Sequence, residues 1–345
     1  MKKSISGLLK SKEFCLVFGL WLVALFLRCY RLDDLLGFYY DQGRDGLKVL
    51  EMLTLKDWPA IGPTTGLAGI FLGPFWFYLI APFYFIGRGN PAVAAAFIAL
   101  IDSFSIVLLY LFAKKFFNQK VALVSAGIWT FSYYLIRSAR WFSNPSPVPF
   151  FAILLLWALA EWLVSKKEKQ IVLVSICLAV ITQLEMASAV FYYPAILAFL
   201  VLFKVNLKAL FRSKWFWLAT AIFVAFLIPQ MVFELKNDFI MSKNVFGFFG
   251  GSVNSDTGQS WALPTIEVVR DRIQYYYQTF FSKIDPKLEA PAILAAIWLL
   301  GLVLIFAFKE RKSQVLKLSF VFFLCPLVFL FFFVGNYGNL YDYYL

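Results

Sequence analysis

Within QGRDGLKVLEMLTL (residues 42–55), read as a helix with Asp41 at its N-cap, Asp41, Arg44, Asp45 and Lys48 share one face at i, i+3, i+4, i+7 spacing. A carboxylate can accept a proton and a guanidinium can grip an anion through its planar fork. The chain has no histidine, so acid–base chemistry falls to carboxylates, tyrosines or lysines. Gly46, Leu47, Leu50, Leu53 and Thr54 lie opposite, a largely apolar side, while Met52 and Leu55 break the pattern. A helix of this kind lies along a membrane surface and presents its carboxylate–guanidinium face towards the protein or the water. The plain alternative is that Asp41 satisfies backbone N–H groups as a cap, and that Arg44 to Lys48 form an ordinary solvated face. Capping alone requires neither an arginine three residues on, nor a second aspartate, nor the flanking Tyr39 and Tyr40.

The elements that position this cluster follow from composition. Of 345 residues, 61% are hydrophobic, 20% aromatic and only 15% charged, more apolar area than an aqueous core of this length uses. Lipid is therefore the solvent, and the expected fold class is all-α, a polytopic helical membrane protein. The net charge of +12 is not a nucleic-acid signature. Segments 1–13, 114–120, 165–170, 204–214 and 309–317 hold 18 Lys/Arg against three acids, Glu13, Glu168 and Glu310. Short basic loops beside apolar runs are the positive-inside signal, so no nucleic-acid partner is expected. The four cysteines lie in or beside apolar runs with no CxxC spacing, and are expected as buried apolar side chains.

With basic loops as cytoplasmic markers, spans are expected at 14–30, 91–113, 121–137, 149–164, 171–188, 190–203, 215–233, 291–308 and 318–335. No small-residue cleavage pattern follows the first run, which is read as an uncleaved span with the N-terminus cytoplasmic. Residues 31–90, 138–148 and 234–290 then lie outside. Segment 70–87 is apolar enough to cross, but crossing would invert every later loop, so it is expected as a broken, interfacial or re-entrant helix held against protein. Residues 266–277 place Ile266, Val269, Ile273, Tyr276 and Tyr277 at helical spacing, an amphipathic surface helix. Three parts are expected: a transmembrane module 1–233, an outer loop 234–290, and a membrane part 291–345 that ends abruptly, as if further spans were missing.

YYDQGRD, directly after the first span, resembles the D-E-x-R pattern of membrane glycosyltransferases with the GT-C fold, with Gln42 where many relatives carry Glu. The nearest likeness is to family 39, which includes protein O-mannosyltransferases and aminoarabinose transferases. LAGIFLGPFWFYLIAPFYFIG (67–87), LLYLFAKKFFNQKVALVSAGIWTFS (108–132), ARWFSNPSPVP (139–149) and IPQMVFELKNDF (228–239) are similar to family text as well. Glu185 departs from it, standing where histidine is expected.

The resemblance implies a GT-C-like module with interfacial helices in its first outer loop, and a sugar moved from a polyprenyl-phosphate donor to an acceptor hydroxyl on protein, lipid or glycan. Asp41 would be the general base, with Arg44, Asp45 and Tyr40 beside it in substrate binding. Arg137 and Arg140, three residues apart at the outer end of the third span, would meet phosphate, although arginines at span ends also snorkel to headgroups. Asn144 stands where some relatives have an acid, which argues against a two-carboxylate metal site; neither metal nor cofactor is expected. Glu185 would face the site. Glu234 and Lys236 would contact acceptor or phosphate, or serve simply as interfacial charges. Asp102 lies inside a span, where an ionisable group is costly and is paired or functional. Membrane lipids are the remaining partners. A transporter or flippase of lipid-linked sugars is the competing class, but transporters place ionisable groups near the midplane in repeats, and no repeat is visible here. An inactive scaffold relative is the other alternative, against which the retained Asp41 and Arg44 speak.

Overall fold

The structure is a computed structural model that describes residues 12–65, 69–249, 265–282 and 311–332. Its helices are α1 (Lys12–Cys29), α2 (Leu32–Leu35), α3 (Tyr40–Leu55), α4 (Phe75–Ile86), α5 (Pro91–Phe116), α6 (Gln119–Phe131), α7 (Tyr133–Ala139) and α8 (Val148–Ser165). They continue as α9 (Gln170–Leu184), α10 (Met186–Leu202), α11 (Leu207–Arg212), α12 (Lys214–Lys236), α13 (Ile240–Phe249), α14 (Ile266–Ser282) and α15 (Arg311–Phe332). Among the described residues no strand forms, only isolated bridges at Gly37–Trp141 and Thr64–Phe71. The fold is all-α, as composition requires.

Among the described residues, three helices, α5, α8 and α12, are long and apolar enough to cross a membrane by length and composition. α5 starts where Asn90 accepts from the Ala92 N–H and Pro91 occupies the first turn, a standard helix entry. The expected span 121–137 is broken. Ser132 is extended (φ −61°, ψ 118°), ends α6 and caps α7 by accepting from the Leu135 N–H. The expected span 171–188 stops early because Glu185 is extended (φ −154°, ψ 102°), leaving α9 at 15 residues. The expected span 291–308 lies outside the described residues, as do 333–335 of the last one.

Segment 70–87 becomes the 12-residue helix α4. At about 1.5 Å per residue it rises about 18 Å, short of the ~30 Å hydrocarbon layer. Trp76, Phe77, Ile80, Ala81 and Tyr84 are buried, and the helix packs on α3, α5 and α9. It is held against protein, as its prolines and glycines suggest. The expected surface helix also forms, as α14, with Ile266 exposed and the helix laid against α15.

A buried ion pair joins α1 to α5. Arg28 of α1 is 0% exposed; its Nε donates to Asp102 Oδ2 of α5 at 2.5 Å, and its Nη2 donates to the Trp129 carbonyl of α6 at 3.2 Å. Asp102 is therefore paired, in a helix–helix contact. At the other end of α1, Glu13 accepts from Lys114 and from the Tyr110 hydroxyl, so α1 is clamped to α5 twice. The cysteine expectation holds only for Cys177; Cys29 and Cys325 are half-buried and Cys15 is exposed. An apolar side chain on an outward helix face needs no protein cover when lipid is the neighbour.

The loop between α3 and α4 folds back as a narrow turn. Gly62 N–H donates to the Leu72 carbonyl at 2.7 Å and Leu72 N–H to the Pro63 carbonyl at 2.9 Å. Its base is pinned from the bundle: Gln183 Nε2 donates to Gln230 Oε1 (2.8 Å) and to the Phe226 carbonyl (3.0 Å), and Gln230 Nε2 to the Phe71 carbonyl (3.2 Å). Two glycines let the two sides of the turn approach. A Cβ on Gly62 would sit 2.0 Å from the Gly73 carbonyl oxygen, a backbone atom that cannot swing away. We expect Gly62→Ala to destabilise the fold by about 1–3 kcal/mol. Gly127→Ala in α6, where nothing lies within 4 Å of the new methyl, should be neutral or mildly stabilising. Thermal unfolding of the two variants in detergent checks this; equal midpoints would contradict the turn geometry.

Candidate functional site

α3 starts two residues earlier than its spacing predicts. Tyr39 is the N-cap, and Gln42 reaches back so that its Oε1 accepts from the Tyr39 N–H at 2.8 Å. Asp41 is thus inside the first turn rather than at the cap, where the helix dipole still favours its charge. The buried stripe is Gln42, Asp45, Gly46, Val49 and Met52. Met52, a break in the expected pattern, is core, whereas Leu47 is 64% exposed. The charged face turns to protein because Gln42 and Asp45 find hydrogen-bond partners there, and Leu47, on the opposite side, is left outward.

Arg44 is the hub. Its Nε and Nη2 donate to Asp45 Oδ1 at 2.9 and 2.8 Å; its Nη1 donates to Asp41 Oδ1 at 3.0 Å and to Thr64 Oγ1 at 2.9 Å. These bonds engage four of its five N–H donors. Asp45 is the anchor beneath, its other oxygen accepting from Trp76 Nε1 at 3.0 Å across the contact with α4. Side-chain exposure falls from 67% at Asp41 through 29% at Arg44 to 4% at Asp45. Burial pushes the Asp45 carboxyl above its ordinary range, although Arg44 and the Trp76 N–H pull it back. The result is an exposed carboxylate on a guanidinium that is locked from behind. Lys48, the last member of the expected face, bridges Glu51 and Asp57 at 3.4 and 3.2 Å instead of joining the cluster.

Aromatic rings flank it. Tyr40 is 83% exposed beside Asp41, and Tyr39 stacks on Trp141 at 5.1 Å and 23°. Gly37 donates its N–H to the Arg140 carbonyl at 3.0 Å, and Phe142 packs on Trp76. The loop after α7 is thereby fastened to the start of α3.

Other expected residues divide. Asn144 and Glu185 do meet: Asn144 Nδ2 donates to the Leu184 carbonyl at 2.5 Å and to Glu185 Oε2 at 3.4 Å. Arg137 and Arg140 do not form one pair on a helix, because α7 ends at Ala139. Arg137 is exposed, while Arg140 turns back and its Nη2 donates to the Leu27 carbonyl at 2.5 Å. Glu234 has a structural partner set, accepting from the N–H groups of Met241 and Ser242 at 2.8 and 2.9 Å and from the Ser242 hydroxyl, which holds the start of α13. Lys236 is exposed at the end of α12. Sequence reasoning missed Thr64, Trp76 and Arg28; their partners are 20, 31 and 74 residues away, and no local spacing marks them. Among the described residues, no three His, Cys, Asp or Glu side chains come close enough to hold a metal ion.

The helical arrangement has the GT-C fold, by its likeness to a solved membrane-protein structure. ArnT from Cupriavidus metallidurans bound to undecaprenyl phosphate aligns with a TM-score of 0.58 at 12% identity, over 99% of this chain and 58% of that one. The same protein in its apo state aligns at 0.50 and 14% identity, over 91% and 58%. This chain therefore spans 58% of the length of those structures. Residues 72–233 match the family described as dolichyl-phosphate-mannose-protein mannosyltransferase, a segment that begins after the Asp41–Arg44 cluster. No curated protein sequence matches the chain.

Proposed function

We propose that the protein is an integral membrane glycosyltransferase that moves a sugar from a polyprenyl-phosphate donor to an acceptor hydroxyl at the outer membrane face. The observation that carries this reading is Asp41, an exposed carboxylate held by Arg44, itself fixed by Asp45 and Thr64. ArnT's bound undecaprenyl phosphate supports a lipid monophosphate as the leaving group here. Asp41 takes the proton of the attacking hydroxyl as that oxygen bonds to the anomeric carbon with inversion, and the anomeric C–O bond to phosphate breaks, its electron pair leaving with the phosphate. Arg44 orients Asp41; with most of its donors engaged it acts on geometry more than on phosphate. Tyr40 and the Tyr39–Trp141 stack offer apolar surface for a sugar ring. Arg137 and Arg140 supply positive charge near the leaving phosphate, and the Asn144–Glu185 contact sits behind the same loop. The cytoplasmic membrane, with the N-terminus inside, is the expected location by the basic loops.

A radiolabelled panel of polyprenyl-phosphate sugars, incubated with membranes containing the protein, tests the reading. We expect one donor to be consumed with release of polyprenyl phosphate. Uptake or flipping of intact donor without cleavage would favour a transporter.

Asp45 gives the reaction an acid limit. Its carboxyl is raised in the folded protein, so on acidification it protonates before an ordinary aspartate does. Between those two values the folded state holds the extra proton, and stability rises slightly as pH falls. Neutral Asp45 also loosens its ion pair with Arg44. We expect transfer to fall across that window while the melting temperature holds or rises. A parallel loss of both would mean that the acid limit is unfolding.

A further inference from the structure

The loop carrying Asn144 leads into α8, and Glu185 leads into α10, so both helices start from the site end of the bundle. At about 1.5 Å per residue they finish roughly 25 Å away, at the end that bears the basic loops. Each ends in the same way: Lys166 (φ 56°) and Lys204 (φ 51°) adopt the left-handed conformation directly at or just past the helix C-terminus. There the two helix ends and Gln314 of α15 enclose an open cleft of about 370 Å³, with Leu163, Leu202 and Phe203 as its apolar wall.

We propose that this cleft is a binding site for the headgroup of an anionic glycerophospholipid. Both lysines that line it are exposed, so the cleft combines two cationic residues with an apolar wall. That combination complements an amphiphile with a negatively charged head. Leu197 and Val201 of α10, both exposed, offer apolar surface on the same helix for an acyl chain. A free phosphate would meet the lysines but leave the apolar wall unused; a zwitterionic lipid would use the wall but bring no net charge. An anionic phospholipid uses both.

The test uses the full chain, purified in detergent and titrated with phosphatidylglycerol, phosphatidylcholine or inorganic phosphate, with bound lipid read by native mass spectrometry. We expect preferential retention of phosphatidylglycerol. In Lys166→Gln/Lys204→Gln that preference should fall about 25-fold, the product of about fivefold per lysine. Lys167→Gln/Lys169→Gln, which removes two charges from the same basic loop outside the cleft, should leave it within about threefold, since displaced surface charges are screened. Equal losses in the two double variants would reduce the effect to diffuse surface charge and overturn the site. So would undiminished retention by Lys166→Gln/Lys204→Gln, or displacement of the lipid by inorganic phosphate at equal concentration.

Discussion

Replacing Arg28 by alanine is expected to destabilise the protein by about 3–5 kcal/mol, the cost of leaving a buried charge without its partner. Arg28 is fully buried and its Nε meets Asp102 Oδ2 at 2.5 Å, with further bonds to the Ala24 and Trp129 carbonyls. Alanine removes all of these and leaves the Asp102 carboxylate without its counter-ion near the middle of a 26-residue apolar helix. Asp102→Ala leaves the converse, an unpaired guanidinium. The double change Arg28→Leu/Asp102→Leu removes both charges together and should recover most of the loss, because a buried pair has little net value over well-packed apolar residues. Denaturant or thermal titration in detergent distinguishes the outcomes. If the double variant is as unstable as either single one, the pair contributes shape and carbonyl contacts rather than charge compensation.

Asp41→Asn is expected to reduce sugar transfer by about 10²–10⁴-fold, the usual contribution of a positioned general base. The asparagine keeps the shape of the side chain, and its amide oxygen still accepts from Arg44 Nη1, so the hub with Thr64 and Asp45 stays intact. At 67% exposure the residue contributes little to folding. Donor binding and stability should therefore remain close to wild type while turnover collapses. Asp45→Asn separates position from chemistry. It can still accept from Trp76 Nε1, but it releases the guanidinium that orients Asp41. Its turnover should fall less than that of Asp41→Asn, with the low-pH limb of the profile removed.

The Asp41–Arg44 pair is legible in the sequence because both residues lie within one helical turn, and a cluster of charge in an apolar chain is conspicuous. Its orientation is not legible. Periodicity sets Leu47 opposite Asp45 and leaves the charged face turned to protein or to water; Asp45 is buried because Trp76, from the next helix, offers it a donor, and Leu47 is left exposed. Long-range partners of this kind leave no trace in spacing. Asp102 shows the same limit: its placement inside an apolar run marks it as paired or functional, but nothing local names Arg28. The breaks at Ser132 and Glu185 are single-residue events that capping and extended backbone decide against an otherwise continuous apolar run. Segment 70–87 is readable for the opposite reason, since the global charge pattern of the loops constrains it more than its own hydropathy does. Glu234 illustrates a residue whose charge suggests substrate and whose partners are the backbone N–H groups of α13.

Asp41 as the base of transfer is tested most directly by release of polyprenyl phosphate from a saturating lipid-linked sugar donor, compared between wild type and Asp41→Asn at equal folded concentration. We expect steady release by wild type and at most about a hundredth of that rate in the variant, with the donor bound equally by both. Equal release by the two proteins would remove Asp41 from the chemistry and contradict the assignment of this helix face as the site of transfer.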